Sequence, residues 1–443
     1  RPGDGRLQRA PGEALRDRTA LAPAAAPGRV LASFGQLTDA HVRDEESPAL
    51  VGFLDRLGGP FTSTFRPQET LTTQVLAAGV RSLNAARPAT VLVTGDSIDD
   101  DQRNELQMAL AALDGGIVRP DSGARGYDGP QLASEADPSY YRPAVDPPQV
   151  PGLLDAAQRS FRSDGLHAPW WAVTGNHDLL VGGELATTPR LQAVARGGAA
   201  LVQPPPGLVI PRDESGLLRG VDALLAGGLP GITTPRPADP ARTQLTAAQV
   251  LARLRATGHA KGTGASLDYT VDLGPRVRGI VLDTVRRDRG SGGVVPPPTL
   301  AFLRAQLAAA GGRWIVVFSH QPLATAAGGQ AALALLDADP HVLATVAGHT
   351  HRNRITPRHT PAGGYWQLTT ASLVDFPQQT RMLRIRETPA GGAVIETWML
   401  DTAPGRLADT ARALAFLDAQ GGRPAGARGR RLDRNVRLFR RAP

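Results

Sequence analysis

Histidine is scarce in this chain, nine in 443 residues, yet two stand one residue apart in VAGHTHRN, as His349 and His351. Taken alone, such a pair is most often a solvated or hydrogen-bonded feature of a loop. The same residue types recur elsewhere. LTDAHV holds Asp39 and His41, VTGDSIDD holds Asp96 and Asp99, VTGNHD holds Asn176, His177 and Asp178, and FSHQP holds His320. Five of the nine histidines lie in these segments, too many for chance placement. The chain has no cysteine, which removes thiolate ligands, a thiol nucleophile and disulfides. Imidazole, carboxylate and carboxamide groups suit borderline or hard divalent ions. The seven side chains Asp39, His41, Asp96, Asn176, His320, His349 and His351 are enough for two ions that share one carboxylate. Two ions ~3.5–4 Å apart can activate a water and clamp the phosphoryl oxygens of an in-line displacement.

Each segment closes an apolar run of strand length. RVLASFGQLTD ends at Asp39, ATVLVTGD at Asp96, PWWAVTGNHD at Asp178, RWIVVFSH at His320, and HVLATVAG leads into His349. Glycines precede Asp96, Asn176 and His349, which allows tight turns and close backbone approach. Helical patterns fall at 68–86, 104–113 and 298–310, between the runs. Strands alternating with helices predict an α/β layered domain, with its chemistry at the carboxyl ends of the strands. SLDYTVDL, VRGIVLDT, YWQLTTASL, RMLRIRE and AVIETWML read as further strands. Asp283, in VLDT, also ends a strand and reads as structural rather than as a ligand.

The remaining segments are less regular. Residues 1–28 read as an irregular leader, 29–402 as the catalytic domain, and 403–443 as a basic, partly helical tail. Insertions rich in Pro, Gly, Asp and Ser occupy about 100–170 and 179–270, the second carrying a helical TAAQVLARLRA. Bare loops of that length are uncommon in compact domains and suggest a functional role. No apolar run reaches membrane-spanning length. The net charge of +8 admits an anionic partner, but Lys261 is the only lysine and Ala, Gly, Pro and Arg dominate. That pattern reads as compositional bias, and no specific nucleic-acid binding is expected. The oligomeric state is not legible. The first residue is Arg1 rather than methionine; a cleaved export segment and a trimmed sequence would both account for this.

The ordered blocks DxH, GDxxD, GNHD, H and GHxH resemble the signature of the calcineurin-like metallophosphoesterase superfamily. The long spacings and the segment YWQLTTASLVDFPQQTRMLRI resemble a long-insert bacterial group whose members are often exported. The resemblance implies a four-layer α/β/β/α sandwich of two mixed sheets flanked by helices. It implies one divalent ion on Asp39, His41, Asp96 and His351, and a second on Asp96, Asn176, His320 and His349, with Asp96 bridging. His177 would protonate the leaving group or stabilise the transition state. Asp99 matches the carboxylate that orients this histidine, and a plain loop aspartate is the other reading. Asp178 is read as a supporting or capping group. Manganese is the first expectation for the ions; iron and zinc also fit. Asp99 stands where purple acid phosphatases place a tyrosine, which disfavours a tyrosinate–iron site. The implied activity is hydrolysis of a phosphomonoester or phosphodiester, in an extracytoplasmic or secreted protein. A nuclease, and a metal-stabilised binding protein without turnover, are the competing readings.

Overall fold

The structure is a computed structural model that describes residues 7, 10–57, 64–137, 139–203, 232–421 and 427–443. Two mixed sheets face each other. The first has the order β1 (Arg16–Arg18), β17 (Val436–Arg440), β16 (Ala393–Asp401), β15 (Gln379–Glu387), β2 (Val30–Leu37), β3 (Thr90–Thr94), β6 (Trp170–Val173). The second has the order β13 (Arg354–Arg358), β14 (Tyr365–Thr369), β12 (Val342–Ala347), β11 (Trp314–Phe318), β10 (Val277–Val281), β9 (Tyr269–Gly274). Strands β2, β3 and β6 run parallel, as do β10, β11, β12 and β14. Their carboxyl ends therefore point the same way within each sheet.

The unbroken apolar runs follow from burial on both faces. In β11, Trp314, Val316 and Phe318 enter the core between the sheets. The alternate residues Ile315 and Val317 pack with Leu303, Leu333 and Leu336 from the helices Pro297–Ala308 and Gly329–Ala338. Phe34 of β2 meets Phe318 of β11 edge to face at 5.6 Å, which ties the two sheets together. On the other side, the helix Thr72–Ala86 sends Val75, Leu76, Val80 and Leu83 into the core, and the helix Arg406–Gln420 adds Leu414. This is the expected helix–sheet–sheet–helix sandwich.

Several elements were not read from the sequence. The helix Gly329–Ala338 joins β11 to β12; parallel neighbours require such a crossover. Within the segment read as a leader, β1 pairs with β17, and within the segment read as a tail, β17 pairs with β16. Both therefore extend the first sheet. At the base of the first insertion, β4 (Gly116–Val118) pairs with β5 (Phe161–Ser163), which draws its two ends together. In the second insertion, β7 (Ala199–Gln203) pairs with β8 (Ile232–Pro235); the helix Ala247–Ala256, expected from TAAQVLARLRA, starts on a Thr246–Gln249 capping box. Among the described residues, no helix is long and apolar enough to cross a membrane.

Part of the arginine excess has an internal use. Arg381 is 0% exposed and donates to Thr370 Oγ1 at 2.8 Å, Asn353 Oδ1 at 2.9 Å and the Asp433 carbonyl at 3.0 Å. Arg440 is also buried and donates to the carbonyls of Pro340 and Ala362. These guanidiniums pin strand ends to loops rather than forming a surface charge.

Candidate metal centre

The candidate ligands sit on the turns that leave β2, β3, β6, β11 and β12. The turn after β2 lies along the turn after β3: Asp39 N donates to the Gly95 carbonyl, His41 N to that of Asp96, and Val42 N to that of Ser97. The peptide nitrogen of His177 donates to Asp96 Oδ1 at 2.9 Å, and that of His349 to Asp39 Oδ1 at 3.0 Å. Backbone groups thus hold both carboxylates in place. A Cβ at Gly175 would fall 2.1 Å from Asp96 Oδ1, and one at Gly348 would fall 2.4 Å from Asp39 Oδ2. Only glycine permits either approach.

The backbone itself is unusual here. Asp39, His41, Asp96, His349 and His351 all have left-handed φ values, between 42° and 66°. They make up five of the eight non-glycine residues with positive φ among the described residues. Such conformations cost energy and cluster at functional sites.

Three donor groups result. Asp39, His41, Asp96 and His351 form one; Asp96, His320 and His349 form a second; His41, Asp99 and His177 form a third. Asp96 is common to the first two. Asn176 sits between Gly175 and His177, both of which touch Asp96. Its Nδ2 donates to the Gly183 carbonyl at 3.1 Å, which settles which atom of the amide is Oδ1. All seven side chains expected to bind metal lie on these turns. The five blocks converge on one site.

Hydrogen bonds define which nitrogen faces inward. His41 Nδ1 donates to Asp99 Oδ1 and His351 Nδ1 to Asp375 Oδ2, each at 2.7 Å. Since a carboxylate only accepts, both Nε2 atoms are left to face the site, and they stand 3.0 Å apart. Two nitrogens held by one ion at ~2.0–2.1 Å and near a right angle would be ~3 Å apart, so the pair fits a shared cation. His320 Nδ1 donates to the Thr94 carbonyl at 2.8 Å, and its Nε2 lies 2.9 Å from Asp96 Oδ2. Burial keeps His41 and His349 neutral, the latter pushed down to about 4, and neutral imidazole is the metal-binding form. For His320 and His351 burial opposes charge, but Asp96 and Asp375 respectively outweigh it and push each up to about 9.

His177 falls in the third donor group, its ring 4.6 Å from that of His41. Its Nδ1 donates to the Asp99 carbonyl at 2.7 Å and lies 3.3 Å from Asp99 Oδ1, while the side chain keeps 22% exposure. Burial opposes its charge, yet Asp96 and Asp99 push it up to about 10. Asp99 therefore supports two histidines, and its shorter side-chain bond goes to His41. Asp178 accepts from the backbone nitrogens of Ser97, Ile98 and Gly175, which fits the capping role expected of it. Asp283 accepts from Leu267 N at 2.9 Å and pairs with Arg287, outside the three donor groups. Sequence reading missed Asp375, the arginines Arg43 and Arg66 that pair with Asp99 and Asp375, and Gln321, whose Nε2 donates to Asn176 Oδ1 at 3.3 Å. Asp375 was within sight, in the ASLVDF segment just after the last block.

No family model matches the chain, and no curated protein matches it. Among solved structures it is similar to a dimetal phosphatase from Danio rerio, at TM-score 0.42 and 14% identity, covering 85% of this chain and 100% of that one. A purple acid phosphatase from yellow lupin (Lupinus luteus) follows at TM-score 0.36 and 11% identity, covering 86% of this chain and 53% of that one. PhoD is similar at TM-score 0.37 and 10% identity, covering 90% and 79%. At such scores the function rests on the residues of this chain.

Proposed function

We propose that this protein is a metal-dependent phosphoesterase of the calcineurin-like metallophosphoesterase type, acting on a phosphomonoester or phosphodiester. The observation that carries the proposal is that Asp96 belongs to two donor groups at once. Asp39, His41 and His351 join it in one, and His320 and His349 in the other. Asp39, His41, Asp96 and His351 would hold one divalent ion, and Asp96, Asn176, His320 and His349 a second. Bound there, two such ions supply Lewis acidity that lowers the pKa of a water and offsets phosphoryl charge. Manganese is our first choice.

The chain's own residues do the rest. Asp96 orients both halves of the site, being fixed by the His177 peptide nitrogen. His177 has Nδ1 committed to the Asp99 carbonyl. Nε2 is then the ring nitrogen left to donate a proton to the leaving-group oxygen as it departs. An extracytoplasmic location belongs to the same proposal and rests on the resemblance to an often exported group.

The test is metal analysis combined with a panel of chromogenic mono- and diesters, extended to DNA and RNA. Chelation should abolish hydrolysis and Mn²⁺ should restore it. A metal-loaded sample inert on every ester would leave a binding protein. Activity confined to nucleic acid would make it a nuclease.

A further inference from the structure

The two halves of the site are supported unequally. His41 leans on Asp99 and His351 on Asp375, through Nδ1 bonds of 2.7 Å in both cases. Each carboxylate is held in turn by a buried arginine. Arg43 Nε lies 3.2 Å from Asp99 Oδ2, and Arg66 Nε donates to Asp375 Oδ1 at 3.0 Å. Glu69 joins the two arms: its Oε2 accepts from Arg43 Nη1 at 2.6 Å and from the Arg66 peptide nitrogen at 3.1 Å. Arg43, Arg66, Glu69, Asp99 and Asp375 are all at most 7% exposed. The loop carrying Asp375 is also tied to the site, with Ser372 Oγ donating to the Asp39 carbonyl at 2.7 Å. On the other half, His320 has, among the described residues, only the Thr94 carbonyl behind it. Among the described residues, no carboxylate stands behind His349.

We infer that Asp375, clamped by Arg66, is a positioning residue for His351, and that the His41–His351 half is the tighter site and fills first. This inference rests on the proposed two-ion function. A carboxylate behind a histidine fixes its ring and raises its basicity as a ligand, and its loss typically weakens metal binding ~10–100-fold. The direct charges act in the same sense. Asp39 and Asp96 face the first ion, whereas Asp96 alone, already shared, faces the second.

The experiment uses the full chain stripped of metal. Crystals supplied with one equivalent of Mn²⁺ should show anomalous density concentrated beside His41 and His351. In solution, Mn²⁺ titration followed by electron paramagnetic resonance should resolve two steps. Asp375→Asn keeps an oxygen for His351 but loses the charge, so it should weaken the first step ~10–100-fold and spare the second. A merely structural role would weaken both steps alike and would overturn the inference. So would density appearing first beside His320 and His349, an outcome that needs no variant. In either case a two-ion reading stands. Absence of any bound Mn²⁺ in wild type at saturating concentration would bring down the proposed function and this inference together.

Discussion

Gly175→Ala is a one-methyl perturbation aimed at the centre of the site. Its Cβ would lie 2.1 Å from Asp96 Oδ1 and 2.4 Å from the Asp96 backbone nitrogen. Carbon–oxygen contacts settle at ~3.3–3.6 Å, so a gap of roughly 1.2 Å must open. Asp96 cannot swing aside without loss, because Oδ1 accepts from His177 N and Oδ2 faces His320 Nε2, each at 2.9 Å. Its backbone is already left-handed, at φ 49°. Overpacking of this kind costs ~1–3 kcal/mol of stability. A misplacement of ~1 Å at a catalytic group costs on the order of 10²-fold in rate. The function should therefore suffer far more than the fold. The assay is metal per chain after equilibrium dialysis, alongside kcat/KM on a nitrophenyl ester and thermal denaturation. Gly12→Ala is the control, since a Cβ there meets nothing within 4 Å. A Gly175→Ala protein with two bound ions and unchanged activity would refute the placement of Asp96 between the ions.

Other consequences are open to simpler tests. His177→Ala should keep its metal and lose ~10²–10⁴-fold in turnover on an alkyl ester, with a smaller loss on a nitrophenyl ester whose leaving group needs little protonation; loss of metal would show His177 to be a ligand instead. Glu46 is buried, and burial pushes its carboxyl from 4.5 up to about 8. Since its folded pKa lies above the unfolded one, the folded state holds the extra proton, and stability should fall as pH rises from about 4.5 to about 8. Glu46→Gln should flatten that decline, raising the melting temperature at the alkaline end only; melting profiles that stay parallel across the range would contradict the assignment. Arg381→Met strands several buried acceptors, so a loss of ~3 kcal/mol or more is expected in urea unfolding; a midpoint equal to wild type would show that these bonds carry no net stability.

The reasons some features were legible and others were not are physical. The ligand blocks could be read because each is local: an apolar strand, then a turn of Gly and a polar residue. The α/β layering followed because strands and helices alternated with clear periods, whereas the two-sheet sandwich came from the family resemblance alone. The helix Gly329–Ala338 was not read, although two parallel strands cannot be joined without a crossover. β17 escaped because it is short and alternates arginine with apolar residues, so that Arg437 lies between buried Val436 and Leu438 in a stretch that otherwise reads as charged. The support behind His351 was out of reach for a different reason. Arg66 and Asp375 are 309 residues apart and meet only in the folded chain. Asp99 was assigned to His177 by motif, and only the geometry shows that its shorter side-chain bond goes to His41.

The central claim is that two ions sit on either side of one carboxylate. Crystals of the full chain grown with excess Mn²⁺ and measured for anomalous scattering test it directly. The account predicts two peaks per chain, ~3.5–4 Å apart, with Asp96 between them. A single peak, or two peaks that do not share Asp96, would contradict it.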